Sequence, residues 1–246
     1  MKHKVLMGIG VLLLIVGYLV YPHIQQRRFD TWTAMNIAIF QENIEVYREA
    51  HRQRFSREDS QFNTPEEDPH FWLNFVGQGL AIANFRLNVE DQRHLLDPFS
   101  YNHPSFSLQP FGFDSAIIGI LNISAIDLSV PIYLGASAEH LNQGVAHLTH
   151  SSFPIGGDNT NAVLAGHRNT TYARVFRHLY RLELGDEIQI INFLETIIYV
   201  VVEVGIADAT DRSPLVIQPG RDLVTLMTTA RWRDSGRYVV IAERVN

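Results

Sequence analysis

Hydrophobic and polar positions alternate in three different ways along this chain. Residues 5–21 (VLMGIGVLLLIVGYLVY) are apolar without a break and carry no charge; as a helix these 17 residues span about 25 Å, the lower end of what crosses a hydrocarbon core. The run predicts an N-terminal membrane anchor over residues 1–22. Lys2 and Lys4 precede it and Arg27 and Arg28 follow it, so flanking charge alone leaves the orientation open. A cleaved signal peptide is the rival reading, but no small-x-small cleavage site follows, and Tyr21-Pro22 is a poor substitute. A buried core helix fits less well, because the run has no polar face.

From residue 29 to about 57 the pattern becomes helical, with Phe29, Trp32, Met35, Ile39 and Ile44 spaced three to five apart. A second helical stretch is expected from about 71 to 96. It is introduced by a capping box at Thr64 and Glu67 or by the rival start at Asp68-Pro69. After about residue 115 the texture changes to short β-branched runs broken by Gly, Pro, Asn and Asp. Strands are predicted near 116–124, 128–134, 161–166, 187–193, 196–206, 214–218, 223–228 and 237–243, with short helices over 138–148 and 172–180. Strands so closely spaced, mostly without room for βαβ units, predict a mainly-β fold. The expected organisation is a transmembrane helix (1–22), a helical arm (23–115) and a closed β-barrel domain (116–246).

Composition narrows the function. With 26 acidic against 20 basic residues and a net charge of -6, the chain lacks the positive field that displaces counterions from phosphates, so nucleic acid is excluded as a partner. The chain has no cysteine, which removes disulfides, thiolate metal sites and any thiol nucleophile.

Two constellations could carry chemistry. Among eleven histidines, His140, His147, His150 and His167 form the densest group, and the i, i+3 step from His147 to His150 would suit a metal. No HExxH is present and Ser151-Ser152-Phe153-Pro154 ends any helix there, so the first three read as solvent-facing side chains, with no metal site and no cofactor. His167 differs: it follows the strand Ala162-Val163-Leu164-Ala165-Gly166 and opens a polar turn, a place suited to acid-base work. The second constellation is the strand Val224-Thr225-Leu226-Met227-Thr228-Thr229, a polar loop, and a further strand opened by Arg237. It could set Thr229 and Arg237 side by side at one rim of a barrel; an ordinary hairpin with Arg237 in solvent is the alternative.

Read together, these segments resemble the sortase domain: Ile132-Tyr133-Leu134-Gly135, Gly144-Val145-Ala146-His147-Leu148, Phe153-Pro154-Ile155-Gly156-Gly157, Ala162-Val163-Leu164-Ala165-Gly166-His167-Arg168, Val216-Ile217-Gln218-Pro219-Gly220 and Val224-Thr225-Leu226-Met227-Thr228, in order over about 116–245. The resemblance implies a closed eight-stranded barrel, membrane-anchored on a Gram-positive cell surface. It implies a cysteine transpeptidase that cleaves an LPXTG-like sorting signal through a thioester and passes the acyl group to an amine. The pilin-polymerising class C is most similar, and Asp97-Pro98-Phe99 stands where that class carries a lid. The implied partners are a pilin or surface-protein sorting signal, an amine acceptor (a pilin lysine or a cell-wall peptide) and the membrane. The implied roles are His167 as catalytic histidine, Arg237 as oxyanion stabiliser, Asp97 paired with Arg237, and Phe99 over the nucleophile.

The nucleophile itself departs from the family, because Thr229 occupies the cysteine position. The loop after it also departs, reading Ala230-Arg231-Trp232-Arg233 where the family reads like Thr-Pro-Tyr-Gly, and ending in Gly236-Arg237 rather than His-Arg. A thiol, with an ordinary pKa near 8.5, becomes a thiolate beside an imidazolium, whereas a threonine hydroxyl ionises several units higher and needs a general base. Three readings follow: an altered form of an active enzyme, a pseudoenzyme that keeps the peptide groove, or Thr229 as nucleophile with His167 as base. The change in the neighbouring loop favours the second.

Overall fold

The computed structural model describes residues 2–55, 116–170, 173–230 and 236–245. The expected helix at 71–96 and the segment Asp97-Pro98-Phe99 lie outside the described residues.

Helix α1 (Lys2–Phe55) is continuous, with Pro22 inside it. The expected division between an anchor and an arm is therefore not a break in secondary structure. Its contact stripe is Phe29, Trp32, Thr33, Ile37, Phe40 and Ile44, with Phe40 and Ile44 buried. These positions recur at the helical period and share one face. Met35 and Ile39, read from the sequence as part of that face, lie off it and are about half exposed. Trp32 stacks on Tyr133 at 6.2 Å between ring centroids and Phe40 tilts against Phe193 at 5.1 Å, so α1 is packed into the same core as the barrel. No helix among the described residues is long and apolar enough to cross a membrane.

The rest is a closed barrel of β1 (Ile117–Ile123), β2 (Leu128–Leu134), β3 (Val145–His147), β4 (Thr160–Ala165), β5 (Glu187–Asn192), β6 (Thr196–Asp208), β7 (Asp222–Thr229) and β8 (Gly236–Arg244). Around the barrel the order is β1-β2-β3-β4-β7-β8-β6-β5, closed by β5 against β1. Only β2 with β3 and β4 with β7 are parallel among these pairs. β1, Ile-Ile-Gly-Ile-Leu-Asn-Ile, is buried along nearly its whole length, as expected for a strand covered on both faces.

Among the described residues eight strands form, though one is not an expected one. Residues 145–147, read as the end of a helix over 138–148, are β3, while helix α2 (Ala138–Gln143) stops at Gly144. A Cβ at Gly144 would lie 2.6 Å from the Pro131 carbonyl oxygen and 3.0 Å from the Tyr133 ring, so the close approach of this turn to β2 admits only glycine. The β-branched run at 214–218 is not a strand. Two of its carbonyls, those of Pro214 and Val216, accept from the Asn161 side-chain amide at 3.1 Å each, and this side-chain bonding replaces a ladder. The expected helix at 172–180 reduces, among its described residues, to turns and a 3-10 segment, Leu179–Arg181.

Phe40→Ala should lower barrel stability by about 3 kcal/mol, a core phenylalanine truncation. Met35→Ala on the same helix should stay within about 0.5 kcal/mol. Chemical denaturation of the full chain in detergent measures both; equal effects would mean that α1 is appended rather than packed.

Candidate functional site

Strand alternation decides which side chains meet. On β7, Val224 and Leu226 join the barrel interior, while Leu223 and Met227 pack on outer clusters; on β8, Val240 and Ala242 point in and Val239 and Ile241 out. Continuing that alternation puts Thr229 and Arg237 on the outer side, and they are directly paired across β7 and β8. The arrangement is the one the sequence suggested for this strand, loop, strand unit.

His167 reaches the same rim through β4. The parallel register runs from Thr160 opposite Asp222 to Ala165 opposite Met227, and two further steps on both strands bring position 167 beside 229. Gly166 fixes that last step. Its N–H donates to the Met227 carbonyl at 3.2 Å and its carbonyl accepts from the Thr228 hydroxyl at 2.8 Å. A Cβ on Gly166 would sit 2.6 Å from the Phe176 ring. The His167 carbonyl in turn accepts from the Phe176 N–H at 3.0 Å. Sequence reading missed Thr228 and Phe176, which hold the histidine in place; the period-2 alternation beside Thr229 was the available signal for Thr228.

Electrostatics at the rim are simple. The Arg237 Nη1 is buried and makes no hydrogen bond among the described residues, so a cationic donor is free for an anion. His167 is half-buried, and desolvation lowers its pKa from the ordinary value, favouring the neutral imidazole. Thr229 is exposed. Beside it lies a pocket of about 370 Å³ lined by Arg168, Phe176, Tyr180, Ile206, Thr228, Thr229 and Tyr238, a volume within the range of small-ligand sites. Asp97, Pro98 and Phe99 lie outside the described residues.

The outer faces of β4 and β7 carry a second, covered apolar cluster. Val163, Ala165 and Met227 pack there with Leu148 and Leu215. Beneath the segment at 214–218, the Thr225 hydroxyl is 2.8 Å from Asn161 Oδ1 and 2.9 Å from the Pro214 carbonyl, one proton shared by two acceptors.

The sortase-domain family model matches residues 121–245, half of the chain. The chain belongs to the sortase family. Sortase D of Bacillus subtilis (strain 168) is 33% identical over 131 residues, which are 52% of this chain and 63% of that protein, so the chain spans somewhat under two thirds of its curated relative. A pilus-related sortase C of Group B Streptococcus superposes with a TM-score of 0.62 at 29% identity, covering 70% of this chain and 90% of that one. Sortase C-1 from Actinomyces oris does so with a TM-score of 0.60 at 30% identity, covering 70% and 99%. Both of these structural neighbours are sortases C, and this chain has no cysteine.

The other histidines are not the solvent-facing side chains expected from the sequence. His147 is fully buried and stacks on Phe153 at 5.2 Å between ring centroids. Its Nε2 donates to the Ser152 carbonyl at 2.9 Å with the Ser151 hydroxyl at 3.0 Å, and Nδ1 is buried without a partner among the described residues. His140 is half-buried, bonds the Gly135 carbonyl at 2.8 Å and stacks on Tyr133. His150 is half-buried, with a left-handed φ of 72°. The physical reason is that β3 carries His147 into the barrel wall, where the sequence suggested a helix surface.

Burial pushes the His147 imidazole down to about 4 from its ordinary 6.5. Because the folded value is the lower one, the unfolded chain binds the extra proton between these values, and stability falls as pH drops from about 6.5 to about 4. The loss is up to roughly 3 kcal/mol. His167, shifted the same way, adds to the slope. Denaturant midpoints of this sortase measured from pH 7 to 4 should fall, and His147→Gln should flatten the fall; an unchanged slope in that variant would assign it elsewhere.

Proposed function

We propose that this chain is a sortase-type protein of a Gram-positive cell surface, held by residues 5–21 as a single-pass anchor with residues 116–246 outside the membrane. The family reaction is transpeptidation of an LPXTG-like sorting signal to an amine, in pilin polymerisation or surface-protein anchoring, and here it is impaired. The anchor reading rests on the uncharged run and on residues 14–21 of α1, where Leu14, Ile15, Tyr18 and Leu19 are 50–80% exposed, more apolar surface than water favours.

The pairing of Thr229 with Arg237 beside His167 carries the catalytic reading. His167 would serve as general acid and base, and Arg237, with its unpartnered Nη1, would meet the oxyanion of the tetrahedral intermediate. Asp97 would pair with Arg237, and Phe99 would cover Thr229. What fails is attack. A neutral imidazole suits a hydroxyl better than a thiol, but among the described residues no carboxylate orients His167 as the third member of a triad.

A second reading is favoured by the altered loop at 230–236: a pseudo-sortase that binds sorting-signal or pilin peptides and passes none to an amine. Full-length protein in detergent, given an LPXTG-like peptide and an amine acceptor, should form product on the order of a millionfold more slowly than an active sortase, the scale of losing a nucleophile. Thr229→Cys should restore turnover, and mass spectrometry should find its thioester. Turnover by the unaltered chain would overturn impairment. Peptide binding without turnover in Thr229→Cys would select the binding-only reading.

A further inference from the structure

The face of the barrel nearest the apolar part of α1 carries a run of arginines. Residues 159–182 contain no carboxylate side chain and four arginines, Arg168, Arg174, Arg177 and Arg181, in a chain whose net charge is -6. Arg177 and Arg181 are exposed, Arg168 and Arg174 half-buried, and among the described residues none of the four is in an ion pair.

This segment lies at the height of the apolar run. Asn169, Thr170 and Arg174 line a groove with Leu14, Tyr18 and Tyr21. Tyrosines at the end of such a run sit at headgroup level, with one apolar side and one wet side. A second groove of about 720 Å³ continues along α1, where Arg174, Arg177 and His178 face His23, with Asp30 and Asp127 as its acidic members. In it the buried Thr33 hydroxyl, 6% exposed, and the His178 Nδ1 lack hydrogen-bond partners among the described residues. The opposite end of the barrel is far away: Phe193 packs on Phe40, 19 residues beyond Tyr21, or about 28 Å along the helix.

We propose that residues 168–181 form a second membrane contact, in which these arginines bind anionic phospholipid headgroups and hold the rim bearing His167 and Thr229 down against the bilayer. The inference rests on the reading of residues 5–21 as an anchor and adds to it an orientation. Helix α1 runs unbroken from the apolar run into the barrel core, and the arginine contact adds a second point of attachment on the same side. An arginine near an anionic surface shifts the ratio of apposed to lifted barrels by about fivefold. The contact should weaken as salt rises.

The absence of native cysteine makes the test direct. Full-length Asn169→Cys, labelled with a fluorophore and reconstituted in nanodiscs, reports proximity to a lipid-borne quencher; Thr196→Cys, exposed near the far end of the barrel, is the control. Expected are strong quenching at 169 in discs containing phosphatidylglycerol, little in phosphatidylcholine alone, and little at 196 in either. Arg174→Gln with Arg177→Gln and Arg181→Gln should release the quenching in proportion to about fivefold per arginine, with unchanged thermal unfolding. Equal quenching at 169 in both lipids, or quenching that survives the triple change, would overturn the headgroup contact while leaving the anchor intact. A chain that stays in the lipid-free fraction would overturn the anchor and this orientation together.

Discussion

The parallel pairing of β4 with β7 is the constraint on which the site depends. Its strands are separated in sequence by residues 166–221, and closing a connection of that length costs about 4 kcal/mol in chain entropy. The pair offsets it by burial on both faces. Ala162, Leu164, Val224 and Leu226 fill the interior, and Val163 and Met227 sit under the outer cover. Polar pegs hold the register. Asp222 accepts from the Thr160 hydroxyl at 3.1 Å, the Tyr199 phenol at 3.2 Å and the Gly157 N–H at 2.7 Å, and Asn161 and Thr225 clamp the segment at 214–218. A one-residue slip would turn Asn161 and Thr225 into the core and carry Thr229 to the barrel interior, away from Arg237.

Most of the barrel was legible because period-2 and β-branched runs report strands that are covered on at least one face. Two failures share a cause. At 145–147 three residues are too few to show a period, and the preceding helix Ala138–Gln143 lends them its own pattern. At 214–218 the composition is that of a strand, but Asn161, fifty-odd residues away in sequence, takes the backbone acceptors. Both outcomes are decided by tertiary partners that local spacing does not contain. The same holds for α1, where Ile39 and Phe40 are equally apolar and only the location of Phe193 and Tyr133 decides which neighbour is buried. At the candidate site, the places of His167 and Arg237 at strand ends were legible, whereas the parts of Thr228 and Phe176 in holding Gly166 and the His167 backbone depend on tertiary partners.

Retention of this geometry says little about retention of chemistry, and the burial pattern explains why. Thr229 is exposed at the last position of β7, while its neighbour Thr228 is buried and hydrogen-bonded to Gly166. A β-branched residue suits a strand end, so exchanging thiol for hydroxyl at 229 leaves the core, the register and the pegs untouched. The fold therefore exerts no pressure on the side chain at 229. What would constrain it is reactivity, which differs by several units of ionisation between the two side chains.

Net charge argues against a nucleic-acid partner, but an average conceals how charge is arranged. The acidic residues are concentrated outside residues 159–182, where the basic stretch follows β4 and begins directly after His167. On an anionic surface such an arrangement acts as a dipole: the acidic bulk is repelled while the arginine face is drawn in, and screening confines both effects to about 10 Å. The two forces turn the molecule the same way. Since the β4–β7 register sets His167, Thr229 and Arg237 at the strand ends that open onto this stretch, the element that assembles the site also fixes its bearing relative to the arginine face.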